Sequence, residues 1–349
     1  MPHRLGAEVR WTSSGARRHR PKSRGYLSGR ADASMTIRKR PWATPGSRAT
    51  RSGTSSHARA SESRRRRGRL VKAFSHLIVT RFNLELFGSC GRDPDWLADR
   101  VCLFERFCYP SVRGQTNQEF RWLVLLNAET PREVRDRIGA LAEWPPFRPC
   151  FLQQHNLEAI QKAIRNNIPD DIEYLMTTTL DNDDALARTF VERLQNAFTR
   201  QQFELINFTN GLRLDLNRNR LYRCHIPSNP FISLIERDHD PTTVAGCLPH
   251  STIPSRFESI REIECEPMWL QVIHGRNVAP TGFWGLKRIP LIELERAVSV
   301  EGPTSERRES GFAIAVENVR RGVERAAIQG IGRRLSARMR AELQRRRRI

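Results

Sequence analysis

Residues 73–300 predict a doubly wound α/β domain, a mainly parallel sheet with helices on both faces. Three observations carry this expectation. Short β-branched runs and amphipathic runs alternate at least three times from Phe74 onward, the order that builds parallel sheets. The positive charge that dominates the composition lies outside this span. The fourth apolar run ends in three aspartates, in "TTTLDNDDAL" at 177–186, and ligands of such sheets bind outside the carboxyl ends of the strands.

Taken in order, "FSHLIVTRF" is a first buried strand, and "DWLADRVCLFERFCYPSV" is a helix with Leu97, Val101, Phe104 and Cys108 on one face and Asp95 near its start. "FRWLVLLNA" is a second strand. "TPREVRDRIGALAEW" follows as a helix capped by Thr130 with Pro131 in its first position, and "RPCFLQQ" is a third strand. "NLEAIQKAIRNNI" predicts a helix and "IEYLMTTTL" the fourth strand. Past the aspartates, "ALARTFVERLQNAFTRQ" sets Leu186, Phe190, Leu194 and Phe198 four apart, one helical stripe that packs in the core. "FELINFTNGLRLDL", "RNRLYRCH" and "PFISLIE" predict β segments with turns at "NG" and "NRN". Residues 244–281 are irregular. From 301 a Glu/Arg-laced segment predicts a basic helical tail broken near Gly330 and Gly332.

The formal charge of +21 suggests a polyanion binder until it is mapped. Residues 1–70 hold 17 Arg and 2 Lys against 3 acids, and residues 305–349 hold 13 Arg against 5 acids, which leaves the span between them at −3. Residues 1–72 are rich in Arg, Ser, Gly and Thr, lack any periodicity and contain "RRRRGR", so they predict disorder. A basic arm for RNA or anionic lipid and an upstream extension from a misplaced start, with Met35 inside it, are equal readings of this segment. The seven cysteines, Cys90, Cys102, Cys108, Cys150, Cys224, Cys247 and Cys265, form no C-x-x-C pair and suit reduced thiols. The chain holds no run of 18 apolar residues and no apolar leader, so a cytoplasmic protein is expected, with peripheral membrane contact left open.

Asp181, Asp183 and Asp184 repel one another at this spacing unless a cation or hydrogen-bond donors stand among them. A divalent metal, Mn²⁺ or Mg²⁺, is the natural partner, because Mg²⁺ takes one or two carboxylates and leaves the rest of its octahedron to substrate phosphates and water. Helix capping is the plain alternative, but a cap needs one Asp. An EF-hand loop would put Glu192 at its twelfth position and lacks the glycine at its sixth. A haloacid dehalogenase needs its Asp on the first strand, and all-helical cyclases contradict the β runs. A metal-dependent nucleotide-sugar site survives, in which the metal steadies a leaving diphosphate.

With "IVTRFN" at 78–83, "FRWLVLLN" at 120–127 and "WLQVIHGRN" at 269–277, the aspartate block resembles the rhamnosyltransferase family, over roughly residues 74–290. The resemblance implies a GT-A-like, Rossmann-like α/β fold with a mixed, mainly parallel sheet. It matches Asp181 and Asp183 to the family's D-x-D pair, the second on the metal and the first near the ribose or the metal's waters, with Asp184 as a further ligand or a cap. A frame shifted by one would pair Asn182 with Asp184. Where the family leads us to expect Arg before the Leu of this block, Thr179 stands. His274 matches a late metal ligand or diphosphate contact, and Asn277 a residue that sets that loop or the phosphates. Arg81 and Asn83 would flank the nucleotide, Arg suiting phosphate and Asn a base edge or ribose. His250 and Arg256 are candidates for an acceptor loop.

An inverting transferase also needs a carboxylate base beside the acceptor hydroxyl, and Asp238, Asp240, Glu258 and Glu266 are the candidates. The leading expectation is a metal-dependent glycosyltransferase moving a sugar, rhamnose by the family's name, from a nucleotide-diphosphate donor to a glycan or lipid-linked acceptor. The alternatives are a nucleic-acid-binding protein acting through its tails and a degenerate transferase that binds without turnover. The acidic middle of the chain, and tails without interleaved aromatics, speak against nucleic acid.

Overall fold

A computed structural model describes residues 72–326 apart from 85–90, 92, 170–171, 238–259, 278–281, 284, 302–308 and 324. They fall in one compact unit, Ser63–Ile349. The basic segment up to residue 71, together with His250 and Arg256, lies outside the described residues.

In chain order the elements begin with β1 (Lys72–Arg81) and α1 (Pro94–Leu103), which passes through a π-helical turn (Phe104–Cys108) into α2 (Tyr109–Arg113). Next come β2 (Arg121–Asn127), α3 (Arg132–Ala140), β3 (Phe147–Leu152), α4 (Leu157–Arg165), β4 (Ile172–Thr179), the short β5 (Ala185–Leu186) and α5 (Phe190–Asn196). Five strands follow, β6 (Phe203–Phe208), β7 (Asn210–Asp215), β8 (Arg220–His225), β9 (Ser233–Glu236) and β10 (Ile260–Ile263). The last are β11 (Trp269–Ile273), β12 (Lys287–Ile289), α6 (Ile292–Ala297) and a helix α7 over residues 311–323.

Seven strands form the main sheet in the order β10-β6-β9-β4-β1-β2-β3. Every pair is parallel except those of β9, which runs antiparallel to both β4 and β6. The result is the expected mixed, mainly parallel sheet flanked by helices, of Rossmann-like, GT-A-type architecture. A second sheet, β12-β8-β7-β11-β5, has one parallel pair, β7 with β11. The sequence reading did not separate the two sheets.

The first helix lies between them. Val101, Phe104 and Cys108 join the core with Ile78, Trp122 and Met176 of the main sheet, while Leu103 and Phe107 pack with Leu212, Leu270 and Val272 of the second. Asp93, rather than Asp95, caps it, accepting from Trp96 N at 2.8 Å, with Pro94 in the first position. Pro110 has no N–H to give the Arg106 carbonyl. The π-turn precedes it, and Arg106 O accepts instead from Glu301 N at 2.7 Å.

Three local expectations are corrected. Pro131 is the cap of α3 rather than its first residue, and the Thr130 hydroxyl donates to Asn127 O at 2.6 Å instead of capping. Residues 185–201 are not one helix, because Ala185 and Leu186 pair antiparallel with Leu270 and Trp269 and the helix starts at Phe190. Leu186 has the helical spacing, but its backbone completes the edge of the second sheet. Asn210-Gly211 is no hairpin turn: it opens β7, where a Cβ on residue 211 would collide with the ring of Trp269. The "NRN" turn stands, with Asn219 at φ 52°.

Helix α7 continues the fold. Its Glu317 is buried and accepts from Tyr222 Oη on β8 at 3.3 Å and from Arg288 on β12 at 2.7 Å. The basic segment set apart from residue 301 therefore begins with a docked helix. No helix among the described residues is long and apolar enough to cross a membrane.

Candidate functional site

The loop after β4 carries the aspartates, and the apolar pattern on either side decides where they point. Leu180 is buried, Asp181 is exposed, and Asn182, Asp183 and Asp184 turn inward. Asp184 N donates to Asp181 O at 3.3 Å, closing a tight turn from β4 to β5. Since the next helix is capped at Thr189, none of the three aspartates caps it.

Asp183 is the centre. Its Oδ2 takes an ion pair from the Nη1 of Arg100, a buried side chain of α1, and lies 3.0 Å from Nε2 of His274, just past β11. Arg100 also donates to Asn182 Oδ1 at 3.1 Å and to Arg276 O at 3.3 Å, and lies over the ring of Trp96. Burial pushes the Asp183 carboxyl up, but the His274 hydrogen bond and the Arg100 charge outweigh it and hold the pKa below the ordinary carboxylate value. The cation that clustered carboxylates require is thus already supplied by this chain.

Asp184 faces the other way. Its Oδ1 accepts from Val272 N at 2.9 Å, tying the turn to β11. Burial, then the charges of Asp183 and Asp181, raise its pKa well above the usual carboxylate range. Burial and the same three aspartates push up the Cys108 thiol, which stays protonated and donates to Asp181 O at 3.5 Å.

The second wall is the His274 loop. Gly275 takes φ 85°, a left-handed backbone that favours glycine. Asn277 closes the turn with both ends of its amide, Oδ1 accepting from His274 N at 3.0 Å and Nδ2 donating to Val272 O at 2.8 Å. Arg276 pairs with Asp99 on the exposed face of α1. The first helix therefore grips the loop at two places, Asp99 and Arg100.

The other sequence candidates fall around this centre. Arg81 ends β1, half-buried. Asn83 is buried and engaged by the protein, donating to Gly91 O at 3.1 Å and Thr130 Oγ1 at 3.1 Å and accepting from Asn127 N at 3.0 Å. The link from β1 to the aspartates runs instead through Asn182, whose Nδ2 donates to Phe82 O at 2.6 Å. Thr179, in the place where Arg was expected, donates to Pro230 O at 2.5 Å. Glu266 precedes β11, at the opposite end of that strand from His274, and pairs with Arg193 at 2.6 Å on the surface. Asp238, Asp240 and Glu258 lie outside the described residues. Arg100 and Asp99 were missed by sequence reasoning, and the only mark they leave in the sequence is an adjacent pair of opposite charges in the middle of the helix.

Among the described residues no group of three or more His, Cys, Asp or Glu is placed to hold a metal ion. Asp183 and His274 are the two donors that meet. A nucleotide-bound Mg²⁺ or Mn²⁺ needs one or two protein ligands, and a carboxylate offers about four lone-pair sites. The Asp183 carboxylate is the oxygen donor that Mg²⁺ or Mn²⁺ takes and the His274 imidazole is a second, softer donor beside it, so the pair supplies the one or two protein ligands such an ion uses.

A family model described as "Putative rhamnosyl transferase" matches residues 89–285, more than half of the chain. The match includes the aspartate turn and the His274 loop and leaves out Arg81 and Asn83. No curated protein matches the chain. Among solved structures, S. aureus TarS in complex with UDP is similar at 9% identity and a TM-score of 0.36, over 58% of this chain and 61% of that one. A "putative nucleotide-diphospho-sugar transferase" from Desulfovibrio desulfuricans G20 is similar at 10% identity and 0.34, over 72% and 96%. The inositol-1-phosphate CTP transferase of T. maritima is similar at 11% identity and 0.32, over 58% and 90%. The chain thus spans about three fifths of the TarS chain it resembles.

Proposed function

Because the chain belongs to the family described as "Putative rhamnosyl transferase", we propose that it transfers a sugar, rhamnose by the family's description, from a nucleotide-diphosphate donor to a glycan or lipid-linked acceptor in the cytoplasm. One observation carries the reading. Asp183 and His274 are 91 residues apart in sequence yet meet where β4 and β11 end, and a buried arginine holds the carboxylate in place.

In this reading Asp183 and His274 hold a divalent ion, Mn²⁺ or Mg²⁺, with the exposed Asp181 on the same turn facing the ribose or the ion's waters. The ion, when bound, supplies charge to the departing diphosphate. Arg100 keeps Asp183 ionised and aimed, and Asn277 fixes the turn that presents the imidazole. Asp184, bonded to Val272 N, anchors the aspartate turn to β11 rather than binding the ion. Arg81, at the end of β1, and the exposed Arg276 are the phosphate partners in this reading. The base that takes the acceptor proton comes from Asp238, Asp240 or Glu258, since Glu266 stands at the far end of β11.

The test is thermal stabilisation of the full chain by UDP, GDP, dTDP and CDP, with and without Mn²⁺, beside an Asp183→Asn variant. A ligand that binds only the folded state adds about 2.7 kcal/mol at a hundredfold excess over its dissociation constant. We expect one diphosphate to raise the melting temperature only when both Mn²⁺ and Asp183 are present. No rise with any of the four would overturn the proposal.

A further inference from the structure

Helix α7 has two unlike faces. Inward, Ile314 and Glu317 are buried, and the Glu317 carboxylate gathers Tyr222, Arg220, Arg288 and its own helix neighbour Arg321. Asn318 adds a two-point bond to the backbone of Arg288, accepting from its N at 2.8 Å and donating to its O at 3.0 Å. These contacts fix the rotation of the helix about its axis. Outward, Phe312, Val316, Val319 and Val323 are 80%, 52%, 68% and 64% exposed, at spacings of four, three and four. That is one continuous stripe. It holds four of the six exposed large apolar side chains among the described residues, so it is a feature of this helix and not of the surface at large.

We propose that this face of α7 seats the protein on an anionic lipid bilayer. Charge selects that partner. Residues 327–349, which follow the helix, carry eight Arg against one Glu. A second copy seated on the stripe would bring two such segments together, and a stable dimer buries roughly 800 Å² on each partner, some 20–30 residues, against four apolar side chains here. An anionic surface attracts the arginines and accepts the stripe at its headgroup boundary, with the helix lying in the plane of the interface. The reading of α7 stands apart from the proposed transferase chemistry, since no residue of the stripe touches the aspartate turn.

The experiment is co-sedimentation of the full chain with phosphatidylcholine vesicles and with vesicles containing about one third phosphatidylglycerol, at low salt and at about 0.5 M NaCl, where long-range attraction is screened. The variant is Phe312→Ser with Val319→Ser, two exposed positions whose change is expected to leave the melting temperature unaltered. The wild type is expected to bind the anionic vesicles and to retain part of that binding in high salt. The double variant should lose at least about tenfold of the salt-resistant affinity, as removal of two buried apolar groups implies. Binding that the double substitution leaves unchanged assigns the attraction to the arginines alone and overturns the role of the stripe. Equal binding to neutral vesicles overturns the choice of an anionic surface, and a dimer in sedimentation that the double variant abolishes assigns the face to a second copy.

Discussion

Arg100 shows how one side chain can answer a question posed elsewhere in the chain. Three aspartates within four positions demand a counter-charge. It comes from a helix that begins some 80 residues earlier, where an arginine is 4% exposed and stacked over Trp96. Removing a buried partner leaves a charge in low dielectric with nothing to offset it, at a cost of about 3–5 kcal/mol. Arg100→Met should therefore lower stability by about that amount in urea unfolding, and adding Asp183→Asn should restore a large part, because the stranded charge is then gone. A loss in the double variant equal to the sum of the Arg100→Met and Asp183→Asn losses would mean that the two side chains are not coupled. The same logic separates the aspartates. Arg100 and His274 hold the Asp183 pKa below the ordinary carboxylate value, whereas burial and the neighbouring aspartate charges push that of Asp184 well above it. No spacing rule distinguishes them, since burial and neighbours set the difference.

Elements are decided by what they pair with. The stripe Leu186, Phe190, Leu194 and Phe198 has helical spacing throughout, yet its first member lies in a strand because β11 offers an edge beside it. Asn210-Gly211 carries the sequence of a hairpin turn, yet the glycine is needed for a different reason. Trp269 lies flat on it, stacks on Phe231 with ring centroids 5.0 Å apart and donates Nε1–H to Phe208 O at 2.8 Å. Gly211→Ala would force that indole away and is expected to cost about 3 kcal/mol, measurable by urea unfolding. A smaller ring should relieve the collision, so Gly211→Ala with Trp269→Leu is expected to lose less than the two single losses added together. β1, β2, β3 and β4 with α1 and α4 were legible because their apolar residues are buried against sequence neighbours in a parallel βαβ order, and β6, β8 and β9 were legible as short apolar runs between turns.

At the scale of the whole molecule, charge and chemistry are segregated. The middle of the chain is close to neutral while the ends are strongly basic. Removing residues 1–62 should leave nucleotide-diphosphate stabilisation unchanged, as followed by thermal shift, because the aspartate turn and the His274 loop both belong to the unit Ser63–Ile349. A protein that worked as a nucleic-acid binder through that arm would lose its ligand instead, together with the steep salt dependence that phosphate contacts confer. The second sheet matters at this scale too. It carries His274 to the end of the first sheet and provides the platform on which α7 is fastened.

The fold class and the acidic turn were legible from the chain alone, because alternation, burial and a local cluster of like charges are properties of neighbouring residues, whereas the His274 loop was marked only by the family resemblance. The partners of the acidic turn were not legible. Arg100, the bond from Asp184 to Val272, the use of Asn83 as an internal brace and the rotation of α7 that turns Phe312 outward all join residues far apart in sequence. A contact of that kind has no period and no motif. It exists only once two sheets and the helix between them have packed, which is where the energy of burial decides which side chain faces which.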